Sequence, residues 1–133
     1  MSDCVLDASA VLAVLFKEPG EEFVRPWLRG GWISAVNAGE VLNKRYRPGE
    51  SLERTVQLFR SLELRVVDFD FEQSVVAASF EPYARAANLS FADRACLSLG
   101  RIRELPVLTA EHDWIKPDLG IDIRLIRGRK DAT

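Results

Sequence analysis

The stretch Cys4-Val5-Leu6-Asp7-Ala8-Ser9-Ala10-Val11-Leu12-Ala13-Val14-Leu15-Phe16 joins two elements of different periodicity around one acid. Residues 4–6 form a short apolar run that predicts a buried strand. Apolar residues then recur at helical spacing, and Pro19-Gly20 stops the helix. The stretch therefore predicts a strand, a turn that contains Asp7, and a helix.

The same order of strand and helix continues along the chain. An α/β fold follows, in which a central, mostly parallel, five-stranded sheet is flanked by helices. Asp70 suits the N-cap of one of these helices, and Pro82 is expected to kink or split it. The predicted strands are residues 4–6, 32–34, 64–69, 107–109 and 121–126, and the later helices are residues 36–46, 52–62, one after Asp70, and 90–103.

Length and composition describe a compact intracellular domain. A chain of 133 residues with 47% apolar residues is expected to form one domain, 1–133, with a basic, flexible tail at about residues 128–133. The two cysteines, Cys4 and Cys96, are too few for a disulfide framework and are expected to be buried thiols. No run approaches the roughly 20 apolar residues of a membrane span, so we expect a cytoplasmic protein with no membrane contact.

Charge and residue usage exclude several functions. With 18 basic and 20 acidic residues the net charge is -2, which argues against holding nucleic acid by bulk charge but allows a local basic rim. The only histidine, His112, has no Ser or Cys partner placed for a triad, which argues against nucleophilic catalysis.

Four acids lie where strands end or helices begin. Asp7 ends the first strand, Glu40 lies on the helix after the second, Asp93 lies in the first turn of the helix opened by Ser90, and Glu111 follows the fourth strand. In parallel sheets the ligand cleft lies beyond the carboxyl ends of the strands, where strand order reverses. Acids that meet there form an oxygen-rich pocket suited to a hard divalent cation.

Asp7 and Asp93 each have an alternative as helix caps. Asp7 on its own suits a cap as well as a ligand. Ser90 and Asp93 have the spacing of a capping box, yet a helical wheel places Asp93 beside Cys96 and Leu97. A carboxylate at an apolar border needs compensation, and a shared cation supplies it, so we favour a ligand for Asp93.

Glu40 and Glu111 carry weaker signals. The wheel places Glu40, together with Asn37 and Lys44, opposite the apolar face of their helix. Glu40 also precedes Lys44 by four residues, which favours an exposed ion pair. Glu111 competes with Asp113 for one role in the same loop. Gly39, next to Glu40, costs roughly 1 kcal/mol relative to Ala in a helix, for which close packing is the only reason the sequence suggests.

Four segments follow one another along the chain: Val5-Leu6-Asp7-Ala8-Ser9-Ala10, Ser34-Ala35-Val36-Asn37-Ala38-Gly39-Glu40-Val41-Leu42, Leu89-Ser90-Phe91-Ala92-Asp93-Arg94-Ala95-Cys96-Leu97-Ser98-Leu99-Gly100 and Pro106-Val107-Leu108-Thr109-Ala110-Glu111, with residues 121–127 as a closing strand. Together they resemble PIN-domain ribonucleases of the VapC toxin type, and the resemblance runs from about residue 3 to residue 127.

The resemblance implies a PIN-like three-layer sandwich and an Mg²⁺- or Mn²⁺-dependent endoribonuclease that acts as the toxin of a toxin–antitoxin pair. Its usual partners are a small VapB-type antitoxin and a second copy of the toxin, as a homodimer. The family more often has Asp at the fourth acidic position, so Glu111 and Asp113 both stay candidates. By matching position, the acidic roles fall on Asp7, Glu40, Asp93 and Glu111, with Ser9 and Asn37 in support.

We therefore expect metal-assisted hydrolysis of an RNA phosphodiester, with one or two ions held mainly by Asp7 and Asp93. Lys44, Arg45 and Arg94 are expected to contact RNA from a basic rim.

The main alternative is a PIN-like module that binds RNA or protein without cleaving it. An aromatic set on the helices, Phe16, Phe23, Trp27 and Phe59, is the candidate groove for a partner helix. A phosphotransfer receiver is disfavoured because the first strand end carries no second acid except Asp3, which precedes the strand.

Overall fold

A five-stranded sheet runs through the centre of the computed structural model, which describes residues 3–128. The strand order is β3-β2-β1-β4-β5, and all four pairings are parallel. This confirms the predicted α/β class. The tail expected at about residues 128–133 lies outside the described residues except for Gly128. The strands are β1 (Val5–Leu6), β2 (Trp32–Ser34), β3 (Arg65–Val67), β4 (Val107–Thr109) and β5 (Ile123–Leu125).

Helices connect the strands and cover both faces of the sheet, as parallel pairing requires. The third and fifth strands are shorter than predicted because each pairs with a neighbour of only three residues. The α-helices of residues 3–128 are α1 (Ala8–Leu15), α2 (Glu21–Leu28), α3 (Ala35–Arg45), α4 (Leu52–Arg60), α5 (Phe71–Ala78) and α6 (Phe91–Arg103).

Strand β1 lies in the middle of the sheet, and the strand order reverses beside it. Val5 is in register with Trp32 of β2 and with Val107 of β4. The chain runs outward from β1 through β2 to β3, and then returns to place β4 and β5 on the other side. The crevice between the ends of β1 and β4 is therefore the switch point at which such sheets bind ligands.

Alternate strand residues belong to two separate cores, because successive side chains in a strand point to opposite faces. Leu6 and Leu108 pack with α1, α2, α3 and α4. Val5 and Val107 pack on the other side with α6 and with Trp114. The arrangement is the three-layer sandwich that the resemblance implied.

Short polar residues begin the helices as predicted. Asp70 Oδ1 accepts a hydrogen bond from the Gln73 amide at 2.9 Å and caps α5. That helix ends at Ala78, and Pro82 lies in a separate 3-10 helix, Glu81–Tyr83, so the predicted break is confirmed. Because proline has no amide hydrogen to donate, Pro82 suits the first turn of this separate helix.

The expected aromatic groove needs correction. Trp27 and Phe59 are buried in the core beneath α1 to α4, so they do not form an exposed aromatic groove with Phe16 and Phe23.

Cys4 and Cys96 are buried free thiols, as expected. Among residues 3–128, no helix has the length and apolar character that crossing a bilayer requires.

Gly39 is also not explained by close packing. A Cβ atom at this position would meet nothing within 4 Å, whereas one at Gly100 would overlap the side chain of Val107. The two helical glycines therefore differ: space is open at Gly39 and absent at Gly100.

We expect Gly39→Ala to raise the free energy of unfolding by about 0.5–1 kcal/mol, because it restricts the unfolded chain and fills open space. Gly100→Ala is the matched control with the opposite sign, since overpacking costs about 1–3 kcal/mol. Urea unfolding of both variants measures the pair. Destabilisation by Gly39→Ala would show that the site is crowded after all.

Candidate active site

A cavity of about 280 Å³ opens at the carboxyl edge of the sheet, beside the switch point. All four acids that the sequence singled out border it, together with Ser9. Its wall also includes the apolar side chains of Leu12 and Phe16. The charged residues that line the cavity are Asp7, Glu18, Glu40, Lys44, Asp93, Glu111 and Arg127.

Asp7 stands at the N-cap of α1 but its side chain makes no capping hydrogen bond. The residue is only 3% exposed. Its Oδ2 accepts hydrogen bonds from Ser9 Oγ at 2.6 Å and from Thr109 Oγ1 at 2.9 Å. The carboxylate is therefore turned towards the cavity and the end of β4, and its side chain does not act as the cap of α1.

Burial raises the pKa of Asp7 to about 6. The hydrogen bonds from Ser9 and Thr109 lower it, and the charges of Asp93 and Glu40 raise it further. An acid in this state binds a proton or a cation more readily than an exposed aspartate does, because either one relieves the burial of a charge.

Asp93 is a cap and a cavity residue at once. Ser90 Oγ accepts from the Asp93 amide at 3.1 Å, and Asp93 Oδ2 accepts from the Ser90 amide at 2.9 Å, which completes the capping box. Partial burial raises the pKa of Asp93, while its bonds to Ser90 and the charge of Lys44 oppose the rise. The cap orients the carboxylate at the start of α6, so the two alternatives are not exclusive.

The helical wheel misplaced the face of α3 that carries Glu40. Asn37, assigned to the solvent side, is 0% exposed because α3 packs against α1 and α6 as well as β2. Asn37 Nδ2 donates to Glu40 Oε1 at 3.0 Å and to the Ala92 carbonyl at 3.0 Å. Asn37 thus links Glu40 to the first turn of α6, next to Asp93.

The structure brings Glu111, and not Asp113, to the cavity. Partial burial raises the pKa of Glu111, and the charges of Asp93 and Asp113 add to the rise. Asp113 forms an ion pair with Lys116, 2.9 Å from Nζ to Oδ1, in the 3-10 helix His112–Ile115. Helix formation after Glu111 turns Asp113 away from the cavity wall.

Only one of the three predicted basic residues lines the cavity. Lys44 does, because it lies one helical turn after Glu40. Arg45 pairs with Glu50 at 3.0 Å, and Arg94 pairs with Glu81 at 2.7 Å. Each follows a cavity residue by one position, which rotates it about 100° around the helix.

Arg127, and not Arg45 or Arg94, lines the cavity together with Lys44. Its Nη1 donates to the Pro19 carbonyl at 3.0 Å and lies 3.7 Å from Glu18 Oε1. Its charge lowers the pKa of Glu111. The sequence could have indicated this position of Arg127, because residues that closely follow a parallel strand reach the carboxyl edge of the sheet. Arg127 lies two residues after the end of β5 at Leu125. Thr109, the last residue of β4, was missed in the same way.

The donor set fits a hard divalent cation in its chemistry. Every anionic side chain in the cavity is a carboxylate, and burial leaves these acids short of compensation. Between Asp3 and Gly128, however, no three Asp, Glu, His or Cys side chains form a group that could hold one ion together. Mg²⁺ needs fewer protein ligands than three, since it is usually held by one or two carboxylates and keeps several waters.

Comparison with known proteins agrees with this geometry. The sequence matches the PIN domain over residues 4–119, and the chain therefore belongs to the PIN domain family. This confirms the family that the four segments indicated. Among curated proteins, no sequence matches the chain.

Several solved structures of similar fold are described as toxin–antitoxin or VapBC complexes. A toxin–antitoxin complex from Klebsiella pneumoniae contains a chain with a TM-score of 0.71 at 13% identity, covering 95% of this chain and 99% of that one. DNA-bound VapBC from Salmonella typhimurium gives 0.69 at 15% identity, with coverages of 96% and 100%. VapBC-1 from nontypeable Haemophilus influenzae gives 0.71 at 10% identity, with coverages of 94% and 98%. At these identities the likeness is one of fold.

The raised pKa of Asp7 predicts how stability depends on pH. The folded state holds this proton more tightly than the unfolded chain, so the stabilisation is present below pH 4 and is lost as pH rises through about 6. We expect metal-free Asp7→Asn to be more stable than the parent by about 1–3 kcal/mol at pH 7.5, with a smaller difference at pH 4.

Urea unfolding in a chelating buffer at several pH values measures this difference. Asp122→Asn, at an exposed aspartate before β5 and on the opposite edge of the sheet, is the matched control. A gain for Asp7→Asn that grows as the pH falls would contradict the assignment.

Proposed function

We propose that this PIN domain is a divalent-metal-dependent endoribonuclease that hydrolyses RNA phosphodiester bonds as the toxin of a toxin–antitoxin pair. The observation that carries the proposal is the buried Asp7 carboxylate at the switch point of a PIN fold, facing Glu40, Asp93 and Glu111 across one cavity. Placing one buried acid beside three partly exposed ones is unfavourable unless a cation neutralises them.

Asp7 and Asp93 would hold Mg²⁺ or Mn²⁺, because their positions are the most firmly oriented. Glu40 and Glu111 would complete the site directly or through bound water. When bound, the ion supplies a water of lowered pKa and stabilises charge on the phosphate. Asn37 holds Glu40 by a hydrogen bond, and Ser9 and Thr109 hold Asp7.

Lys44 and Arg127 border the acids and would bind the phosphates on either side of the scissile bond. Phosphate contacts position a nucleic acid without reading its sequence. Two local cations suit a protein whose overall charge is -2, since the attraction is needed only at the cavity. RNA as the substrate rests on the resemblance of the sequence to PIN-domain ribonucleases.

The proposed partners are argued from the complexes in which chains of similar fold are found. The similar chains belong to structures described as toxin–antitoxin or VapBC complexes. We propose that residues 1–133 act as one PIN-like domain in the cytoplasm, form a homodimer, and are inhibited by a small VapB-type antitoxin that covers the cavity.

RNA cleavage with Mg²⁺ or Mn²⁺ tests the catalytic assignment. We expect Asp7→Asn and Asp93→Asn each to lower the rate by about a hundredfold or more, since each removes a charge from the centre of the site. Asp122→Asn, far from the cavity, should retain the parental rate. The assignment fails if both cavity variants cut as fast as the parent in a nuclease-free preparation.

The choice between the two loop acids has its own test. Glu111→Gln should reduce cleavage about tenfold or more, in line with loss of one outer ligand of a metal site, while Asp113→Asn should have a much smaller effect. Rates of both variants under one set of conditions decide it. The reverse order would make Asp113 the fourth acid.

A non-catalytic RNA- or protein-binding module is the second candidate. It is favoured by one observation, that no three acids within residues 3–128 already form a metal-holding group. Such a module should bind RNA without cleaving it. It should also show no thermal stabilisation by Mn²⁺ that depends on Asp7 and Asp93, whereas the nuclease should show one.

A further inference from the structure

Two hydroxyl groups hold one oxygen atom of Asp7. Ser9 Oγ lies 2.6 Å from Asp7 Oδ2, and Thr109 Oγ1 lies 2.9 Å from the same atom. Thr109 is 0% exposed and ends β4, while Ser9 lies in the first turn of α1. Thr109 therefore contacts the most buried acid of the cavity, although no local sequence pattern points to this contact.

The direction of both hydrogen bonds is set by the backbone. The amide of Ala110 donates to Ser9 Oγ at 2.9 Å, and the amide of Glu111 donates to Thr109 Oγ1 at 3.0 Å. An amide only donates, so each hydroxyl accepts from the loop and has one proton left to give. The two hydroxyl oxygens also lie 3.4 Å from each other, but the contacts of 2.6 and 2.9 Å to Asp7 Oδ2 are shorter. Because an ionised carboxylate only accepts, both protons are assigned to Asp7 Oδ2.

This arrangement makes the two oxygens of Asp7 unequal. Oδ2 receives one hydroxyl proton from Ser9 of α1 and one from Thr109 at the end of β4, which restrains rotation of the carboxylate. Among residues 3–128 no hydrogen bond is made to Oδ1, so Oδ1 is the oxygen available to a ligand. Groups that orient a metal ligand in this way affect metal affinity strongly, because they spare the ligand the entropy of finding its orientation.

The same hydrogen bonds also position Glu111, the second acid at this edge of the sheet. The amides of Ala110 and Glu111 are the first two after β4: the first is bound to Ser9 of α1 and the second to the Thr109 hydroxyl two residues back, so the start of the loop is held beside Asp7. The hydroxyl of Thr109 thus joins the Asp7 side chain to the Glu111 backbone. Removing it releases both at once.

We infer that Thr109 is a positioning residue which, paired with Ser9, presents Asp7 Oδ1 to a divalent cation and fixes the backbone of Glu111 beside it. The identity of the ligand rests on the proposed function, whereas the arrangement of the two hydroxyls does not.

The test is Mn²⁺ binding to the metal-free protein, measured by isothermal titration calorimetry without RNA. Thr109→Val replaces the hydroxyl by a methyl group of similar size and should weaken Mn²⁺ binding 10–100-fold. Thr109→Ser keeps the hydroxyl and should restore affinity to near the parental value. In an Asp7→Asn background, Thr109→Val should weaken binding much less, because it acts through Asp7.

Thr55→Val is the matched control. Thr55 is 1% exposed in α4, and its hydroxyl has no hydrogen-bond partner among the described residues. The same substitution there should leave Mn²⁺ affinity unchanged. RNA kinetics add a second readout: Thr109→Val should lower kcat and leave KM near the parental value, since Lys44 and Arg127 are untouched.

The outcomes separate this inference from the proposed function. If the parent binds no Mn²⁺, the proposed function fails and this inference fails with it. If the parent binds and Thr109→Val binds equally well, or if Thr109→Ser is as weak as Thr109→Val, only this inference is overturned. Should Thr109→Val not fold, Ser9→Ala removes the other bond to Oδ2 at a partly exposed position and must show the same 10–100-fold loss.

Discussion

Parallel pairing of β1 with β2 on one side and β4 on the other is the constraint on which this molecule depends. It directs the carboxyl ends of the strands to a single edge, where the order of strands reverses. Asp7 follows β1 at that edge, Thr109 ends β4, and Arg127 follows β5. Because a parallel sheet must be covered on both faces, the helices that connect the strands then deliver Glu40 and Asp93 to the same place.

The site is built from charges that the fold does not fully compensate. Burial raises the pKa of Asp7, Asp93 and Glu111, and repulsion by neighbouring acids adds to the rise for Asp7 and Glu111. Two hydroxyls, a capping box and the cations of Lys44 and Arg127 oppose the rise. The lowering is smaller than the rise, so the pKa of each of the three acids stays above its ordinary value. A pocket in this state favours a small cation, since Coulomb attraction is stronger where water is excluded.

Local patterns predicted most of the elements. Apolar runs located the strands, Asp70 and Ser90 marked helix starts, and Pro82 marked a break. Errors arose where a helix has more than one neighbour. The wheel for α3 assumed one buried face and therefore placed Asn37 in solvent, although α1 and α6 bury it.

The sequence by itself determined the alternation of strand and helix, the caps, and the acids that follow strands, because these depend on contacts between residues near each other in the chain. Tertiary structure decided the rest. The packing of distant segments places Glu111, and not Asp113, on the cavity wall. It also directs Arg45 and Arg94 into ion pairs with glutamates, away from the cavity. The two hydroxyls that bind Asp7 Oδ2 are brought together in the same way. The bond from Thr109 to Asp7 joins residues 102 positions apart, and no local period or spacing carries information about such a contact.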